Sequence, residues 1–310
     1  MSSDIRKKLD DLASRMPGDS EDKEHLRKVV RKLRDESSEK RKSRPAIRYH
    51  RDRPRNETRT TPAQASSDEV VELHAAVDGA ESHVSGRGCF YVVENALCDI
   101  EDEAGHLQRD FTEALDNPDS GLRQRLSDLW PADGLEPDDI IFMDLETTGL
   151  ACSPLFLIGT MCWEQDRLVV RQLLARDYSE ESAIVARFAD GFARRRLLVT
   201  FNGKSFDMPF LRMRAASTRV ELPEEPPHFD LLHVCRRVWK DSLPNCKLQT
   251  LETHICRRPR YGDIPGEQIP EAYHAFVRTG DARRMVRILH HNMLDLVTMA
   301  DLMVRLPPAQ

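Results

Sequence analysis

The stretch Ile140–Gly149 constrains this chain most, because it joins a buried strand directly to two acids. Its sequence is Ile-Ile-Phe-Met-Asp-Leu-Glu-Thr-Thr-Gly, so four apolar residues lead into Asp144 and Glu146. Residues two apart in a strand point to the same face, which places the two carboxylates side by side. Two carboxylates at the end of a buried strand are costly unless a cation compensates their charge. A divalent metal ion with oxygen ligands is the obvious candidate.

The chain from residue 134 to 310 has the pattern of a mixed α/β sheet flanked by helices. Strands are predicted at Ile140–Glu146, Leu155–Trp163 and Leu168–Ala175, and the connections between them are short enough to require antiparallel hairpins. A helix to about Arg194 and a fourth strand, Leu197–Phe201, follow. Three antiparallel strands, a crossover helix and further strands and helices make a single layered domain.

Residues 1–67 form a different region, which we predict to be a charged and largely disordered arm. Residues 1–60 hold 19 basic and 12 acidic residues, a charge of +7, so the remainder carries −13 of the total of −6. A basic arm on an acidic body favours contact with nucleic acid or another polyanion. A contact with an unknown protein through its two short helical patterns, or a solvated tail with no partner, is the alternative.

Residues 68–133 are predicted to be a small accessory β-element and a linker, with strand-like patches at Val70–Val77 and Cys89–Val93.

The seven cysteines are scattered and form no Cys-x-x-Cys pair, which favours reduced thiols in a cytoplasmic protein over a zinc or disulfide framework. No apolar run approaches the length of a membrane span, and the N-terminus lacks an export signal, so no membrane association is expected.

Two later segments add acids in suggestive places. The first, Asn202-Gly-Lys-Ser-Phe-Asp207, follows the fourth strand, and open α/β sheets bind ligands where strands end. Taken alone, Asp207 would be read as an ordinary helix cap. The second is Leu289-His-His-Asn-Met-Leu-Asp295, where Asp295 interrupts an apolar helical run. His291 lies four residues before Asp295 on the same helical face, and His290 lies five before it.

Together these segments resemble the three motifs of the DEDD exonucleases in the ribonuclease H-like superfamily. The motifs are Asp144-x-Glu146, Asn202-x-x-x-Phe-Asp207 and His291-Asn-x-x-Asp295. Within that group the chain is most similar to the YprB-like family, which Cys246-Lys-Leu-Gln-Thr-Leu-Glu252 and Asp263-Ile-Pro-Gly-Glu-Gln-Ile-Pro270 also support. The resemblance covers roughly residues 134–306 and implies a ribonuclease H-like exonuclease domain at 134–310.

The resemblance implies a 3′–5′ exonuclease that hydrolyses phosphodiester bonds of DNA or RNA by a two-metal mechanism. It implies that two Mg²⁺ or Mn²⁺ ions are held by four carboxylates, those of Asp144, Glu146, Asp207 and Asp295. The general base is implied to be His291, with His290 as a competitor, because each matches the spacing of a different subgroup.

The roles of the residues beside Asp207 stay open at this level. Asn202 either orders the loop or touches the substrate phosphate, and Phe206 either stacks on a terminal base or packs in the core. Lys204 either binds phosphate or is a solvated charge. Two other functions also stay open: a catalytically weak nucleic-acid-binding module with the same fold, and a structure-specific endonuclease.

Overall fold

A computed structural model of the protein describes residues 70–99, 104–129, 134–149, 153–258, 260 and 262–309. Its centre is one sheet with the following strands: β1 Ala80–Val84, β2 Gly88–Ala96, β3 Ile140–Thr147, β4 Leu155–Glu164, β5 Arg167–Leu174, β6 Leu197–Thr200 and β7 His228–Asp230. The order across the sheet is β1-β2-β5-β4-β3-β6-β7.

The pairing confirms the predicted mixed sheet. The neighbouring strands β1, β2, β5, β4 and β3 are all paired antiparallel. In contrast, β6 lies parallel to β3 and β7 lies parallel to β6. Strand β3 therefore has an antiparallel hairpin partner on one side and a parallel strand on the other. The change of direction leaves the carboxyl ends of β3 and β6 at the same edge of the sheet, where each is followed by a loop.

Helices cover both faces of the sheet. They are α1 Leu73–Ala76, α2 Ala104–Asp116, α3 Gly121–Arg125, α4 Glu181–Phe192, α5 Asp207–Thr218, α6 Leu231–Trp239, α7 Leu248–Leu251, α8 Ile269–Thr279 and α9 Arg283–Val304. One π-helical turn, Glu252–Cys256, directly follows α7. Over the described ranges, no helix is both long and apolar enough to cross a membrane.

The apolar residues of β3 alternate between two hydrophobic clusters. Ile141 and Met143 belong to the cluster beneath α4 and α8, and Ile140 and Phe142 belong to the cluster beneath α2 and α6. Because side chains alternate along a strand, Asp144 projects on the same face as Phe142. The long helix α9 contributes to both clusters, through Met285 to the first and Met293 to the second. This crossing carries α9 past the end of β3.

The N-terminal β-element predicted for residues 68–133 is part of the main sheet rather than a unit beside it, because β2 pairs with β5. The predicted strand at Val70–Val77 is wrong. A four-residue helix, α1, occupies Leu73–Ala76, and the strand begins only at Ala80. The hydroxyl of Tyr91 donates to the carbonyl of Val77 over 2.9 Å, which fixes this segment against β2. The predicted linker also contains the helices α2 and α3.

The predicted basic arm, residues 1–67, lies outside the described residues. Among the described residues, Cys89, Cys162, Cys235, Cys246 and Cys256 are free thiols.

Candidate metal and catalytic site

The two acids of β3 lie opposite a glycine and a leucine of β4. Asp144 is paired with Gly159 and Glu146 with Leu157, and the register becomes irregular directly after Glu146. Such irregularities end strand pairing and redirect side chains, and they are frequent beside active sites. Gly159 has a steric role, because a Cβ atom there would lie 2.0 Å from Oδ1 of Asn292. A glycine at this position therefore opens the space that the Asn292 side chain fills.

Asn292 connects helix α9 to the first acid. Its side chain is fully buried, and its amide nitrogen donates to Oδ2 of Asp144 over 2.8 Å. Its Oδ1 accepts a hydrogen bond of 2.8 Å from Gln172, which also donates to the carbonyl of Leu289. The sequence motif contains Asn292 without indicating this contact, and Gln172 on β5 carries no motif at all. Together the two amides fix one oxygen of Asp144.

Asp207 is brought to the same place by a tight loop after β6. Asn202 has a left-handed backbone conformation with φ of 69°, which Asn tolerates better than most residues. The backbone amides of Asn202 and Lys204 donate to the two oxygens of Asp230, over 2.8 and 3.1 Å. Asp230 is also the N-cap of α6. The turn thus places Asp207 as the first residue of α5, beside the backbone of Leu145 in β3.

The other residues of this loop differ in exposure. Phe206 is an exposed aromatic side chain, with 50% of its surface accessible, so packing in the core does not account for it. Lys204 is exposed as well. Asn202 orders the loop through its backbone, since its carbonyl accepts from the amides of Ser205 and Phe206. Hence one aromatic ring and one cation stand beside Asp207 and open to solvent.

The two histidines of α9 have different surroundings. His290 is exposed, whereas His291 is buried. Nδ1 of His291 lies 2.9 Å from both oxygens of Asp263, and its Nε2 lies 3.5 Å from Oδ2 of Asp295. Asp263 therefore lies beside His291, although it is not one of the acids of the three sequence motifs. Its only sequence signal was its place in the Asp-Ile-Pro-Gly segment that carries the family resemblance.

The four acids are close enough for their charges to interact. The pKa of Asp144 is raised well above its usual range by burial and by the charges of Asp295, Glu146 and Asp207, against the hydrogen bond from Asn292. Burial, with the charges of Asp295, Asp207 and Asp263, also raises the pKa of Glu146. The pKa of Asp207 is raised to about 7, mainly by burial, while backbone hydrogen bonds act in the opposite direction. The carboxylates therefore form one anionic cluster that lacks sufficient positive charge.

This cluster fits the chemistry of hard divalent cations. Carboxylate oxygens are the ligands that Mg²⁺ and Mn²⁺ prefer, and a bound cation would relieve the repulsion that raises the pKa values. Within the residues that the structure describes, no three acid, histidine or cysteine side chains are arranged to hold a metal ion. Arg260 pairs with Asp295. The positive charge of Arg260 therefore compensates part of the negative charge of the acids.

Comparison with known proteins identifies the family. A family model described as the RNase_H superfamily matches residues 141–307. The chain is 34% identical over 192 residues to the uncharacterized protein YprB of Bacillus subtilis (strain 168), an alignment that covers 60% of this chain and 45% of YprB. It is 26% identical over 177 residues to a DNA polymerase of Pyrococcus glycovorans, covering 47% of this chain and 22% of the polymerase.

Among solved structures, the chain is similar to the family B DNA polymerase of Pyrobaculum calidifontis, with a TM-score of 0.44, 15% identity, and coverage of 53% of this chain and 24% of that one. The chain thus spans less than half the length of YprB and about a fifth of the Pyrococcus polymerase. The family match includes both acids of β3, the loop after β6 and all of α9. The chain belongs to the RNase H superfamily, and it is similar to YprB over 192 residues.

Proposed function

We propose that this protein is a metal-dependent 3′–5′ exonuclease that hydrolyses phosphodiester bonds of nucleic acid. The observation that carries the proposal is that four acids near the end of β3 lie close enough for their charges to interact, with the buried His291 beside one of them. The acids are Asp144, Glu146, Asp207 and Asp295. Membership of the RNase H superfamily supports nuclease chemistry, and a relative that is a DNA polymerase supports nucleic acid as the substrate class. The 3′–5′ direction and the DEDD type rest on the sequence motifs.

The four carboxylates would hold two divalent cations, Mg²⁺ or Mn²⁺. When bound, such ions make a water molecule more acidic and stabilise the negative charge of the leaving oxygen. Asn292 contributes by directing Oδ2 of Asp144, because its amide hydrogen bond restricts the rotation of that carboxylate. The Asp230 contacts keep the Asn202 turn closed, so that Asp207 stays beside β3. The main work of the fold is thus to hold the acids in place before substrate binds.

His291 is proposed to be the general base. Asp263 accepts a hydrogen bond from Nδ1, so the imidazole carries its hydrogen there and leaves the lone pair of Nε2 facing the acids. A neutral imidazole in that orientation accepts a proton from an attacking water. His290 is exposed, which is the observation that favours His291 over it.

Substrate would enter from the open side of the cluster. Phe206 is exposed there, and an aromatic ring stacks on any terminal base without reading its identity. The exposed Lys204 on the same loop is proposed to attract a backbone phosphate, and Asn202 is proposed to act by shaping the loop.

The test is an assay with end-labelled single-stranded DNA and RNA, with Mn²⁺ and with chelator. We expect a ladder that shortens from the 3′ end, requires the metal ion and disappears with Asp144→Asn. Binding without cleavage would replace the proposal with that of a nucleic-acid-binding module, and internal cuts would replace it with that of an endonuclease. Both nucleic acids are needed because no segment of the sequence is recognisable as a sensor of the 2′-hydroxyl.

The N-terminal arm is proposed to add affinity through phosphate contacts, and an unknown protein partner is the alternative. Removing residues 1–66 should then lower the affinity for nucleic acid and make it less dependent on salt. With fewer phosphate contacts, binding releases fewer counterions. Unchanged affinity and salt dependence would exclude the arm from substrate binding. A cytoplasmic location also remains a prediction.

A further inference from the structure

Arg260 is a buried cation near the proposed metal site, and the proposed mechanism assigns it no role. Its side chain is only 7% exposed, and each of its three guanidinium nitrogens contacts a different carboxylate. Nε pairs with Glu252, Nη2 pairs with Asp295, and Nη1 lies 3.2 Å from Asp263. A planar guanidinium can hold several carboxylates in fixed directions, whereas the single ammonium of a lysine cannot.

Glu252 anchors this guanidinium from behind the site. It is fully buried, and it begins the π-helical turn Glu252–Cys256, a kind of irregularity that is frequent at functional sites. Its other oxygen accepts a 2.8 Å hydrogen bond from Thr298, one turn after Asp295 on α9. A buried carboxylate without a cationic partner is costly, so Glu252 favours the burial of Arg260 beside it. The guanidinium is therefore held at one end by a residue that itself lies outside the acid cluster.

The other end of the guanidinium fixes two acids on either side of His291. Arg260 occupies Oδ1 of Asp295, so the second oxygen, Oδ2, is the one that faces Nε2 of His291 at 3.5 Å. Asp263 receives Arg260 on Oδ2 and His291 on both of its oxygens. Arg260, Asp263, His291 and Asp295 thus close a ring of contacts in which only the arginine carries a permanent positive charge.

We propose that Arg260 is a positioning residue of the nuclease site: it occupies Oδ1 of Asp295, so that Oδ2 would be the oxygen available to a metal ion, and it holds Asp263 against His291. This inference rests on the proposed function, since it assigns Arg260 a role toward a metal ligand and toward the base. Hydrogen-bonded partners of ligating carboxylates orient the ligand and tune its affinity, and their loss costs about 10- to 100-fold in metal affinity or activity. Arg260 would thus act through Asp295 and Asp263 and not on the substrate directly.

The test compares Arg260→Lys with Arg258→Lys in the full chain. Arg258 is the matched control because it contacts the same Glu252, with Nε 3.3 Å from Oε1, and also Thr298. Titration calorimetry measures Mn²⁺ affinity without substrate, and thermal unfolding reports the fold. We expect Arg260→Lys to weaken Mn²⁺ binding about 10- to 100-fold, and Arg258→Lys to change it less than about twofold.

The dependence of turnover on Mn²⁺ concentration is a second measurement, which a purely structural role of Arg260 would not change. With Arg260→Lys, kcat should fall steeply at limiting Mn²⁺ and recover in part as Mn²⁺ is raised, while KM for the oligonucleotide stays constant. If Arg260→Lys does not fold, the double variant Glu252→Gln/Arg260→Gln removes the buried acid together with its partner and should show the same loss of Mn²⁺ affinity.

Three outcomes would overturn the inference in distinguishable ways. A folded Arg260→Lys or double variant with wild-type Mn²⁺ affinity refutes the role of Arg260 and leaves the exonuclease proposal intact. An equal loss in Arg258→Lys assigns the effect to the Glu252 anchor instead. A wild-type protein that neither binds Mn²⁺ nor cleaves DNA or RNA refutes the proposed function, and the role of Arg260 with it.

Discussion

Nδ2 of Asn292 lies 2.8 Å from Oδ2 of Asp144, and this hydrogen bond joins the middle of helix α9 to the end of strand β3. The contact exists because position 159, across from Asp144 on β4, is a glycine. A side chain there would occupy the volume of the Asn292 amide. The first acid of the site is thus oriented from outside its own strand, by a pair of residues that meet only in the folded protein.

We therefore expect Gly159→Ala to damage both stability and activity. The added methyl group would meet Oδ1 of Asn292 at 2.0 Å, so either helix α9 or the amide must move. Overpacking of this kind costs about 1–3 kcal/mol, and the displaced Asn292 would release Asp144. Urea unfolding and nuclease rates at saturating Mn²⁺ measure the two effects.

Gly191→Ala is the matched control for that experiment. Gly191 lies in helix α4, where an added Cβ atom has no neighbour within 4 Å. Alanine favours a helix over glycine by about 1 kcal/mol, so this variant should be at least as stable as the wild type and equally active. If Gly159→Ala behaved like Gly191→Ala, Asn292 would not depend on the gap at position 159.

The sequence carried enough information for the main sheet and for the acids. The hairpins β3–β4 and β4–β5 were predictable because their turns are too short for any other connection. The spacing of Asp144 and Glu146 defined a shared face because strand periodicity is two. Helix α9 was recognisable from its long apolar stripe, which Asp295 interrupts.

The remaining contacts depend on tertiary structure that local patterns do not encode. The pairing of β2 with β5 joins residues far apart in the chain, and no periodicity predicts which edge a distant strand will choose. Asp263 and Arg260 lie in an irregular segment, where side-chain direction does not follow a repeat. The cluster Arg257-Arg258-Pro-Arg260 just before Asp263 was the available signal for a buried arginine, but a basic run is usually solvated.

His291 and His290 provide a direct comparison of two adjacent imidazoles. We expect His291→Ala to lower kcat about 10²- to 10⁴-fold, the usual contribution of a general base, and His290→Ala to have little effect because that side chain is exposed. Single-turnover cleavage rates at saturating Mn²⁺ separate this loss from metal binding. A large loss with His290→Ala and none with His291→Ala would reverse the assignment.

Asp263→Asn tests the orientation of the base. The amide keeps the shape of the side chain but removes the charge that holds Nδ1 of His291 and one contact of Arg260. We expect kcat to fall by about 10- to 100-fold without loss of the fold. Wild-type kcat in this variant would show that His291 is oriented by other contacts.

The raised pKa of Asp207 predicts that the stability of the folded protein depends on pH in the absence of metal. Its pKa rises from 3.8 to about 7 in the folded protein, so folding favours the protonated acid. This stabilisation is complete below pH 3.8, is lost as the pH rises, and is absent above about pH 7. The wild-type protein in chelator should therefore be less stable at pH 8 than at pH 5, and added Mn²⁺ should restore stability at pH 8.

Asp207→Asn should remove the part of that dependence that belongs to this residue. In chelator at pH 8 we expect the variant to be more stable than the wild type by about 1–2 kcal/mol, because one pKa unit corresponds to about 1.4 kcal/mol and the site is partly open to water. Asp166→Asn, in an exposed turn, is the control and should change nothing. A variant less stable than the wild type at pH 8 would show that ionised Asp207 is already compensated.

Phe206 is expected to contribute to substrate affinity and not to stability. Half of its surface is exposed beside Asp207, so Phe206→Ala should leave the unfolding midpoint nearly unchanged. Loss of one stacked base should raise KM for single-stranded DNA by about 10-fold, within the 1–3 kcal/mol that such stacking contributes. Phe206→Trp should retain the wild-type KM.

An oligonucleotide whose 3′-terminal residue is abasic provides the control, because Phe206→Ala then has no terminal base to lose. If KM rose equally for the abasic and the intact substrates, Phe206 would act by shaping the loop rather than by stacking, since only stacking depends on the base.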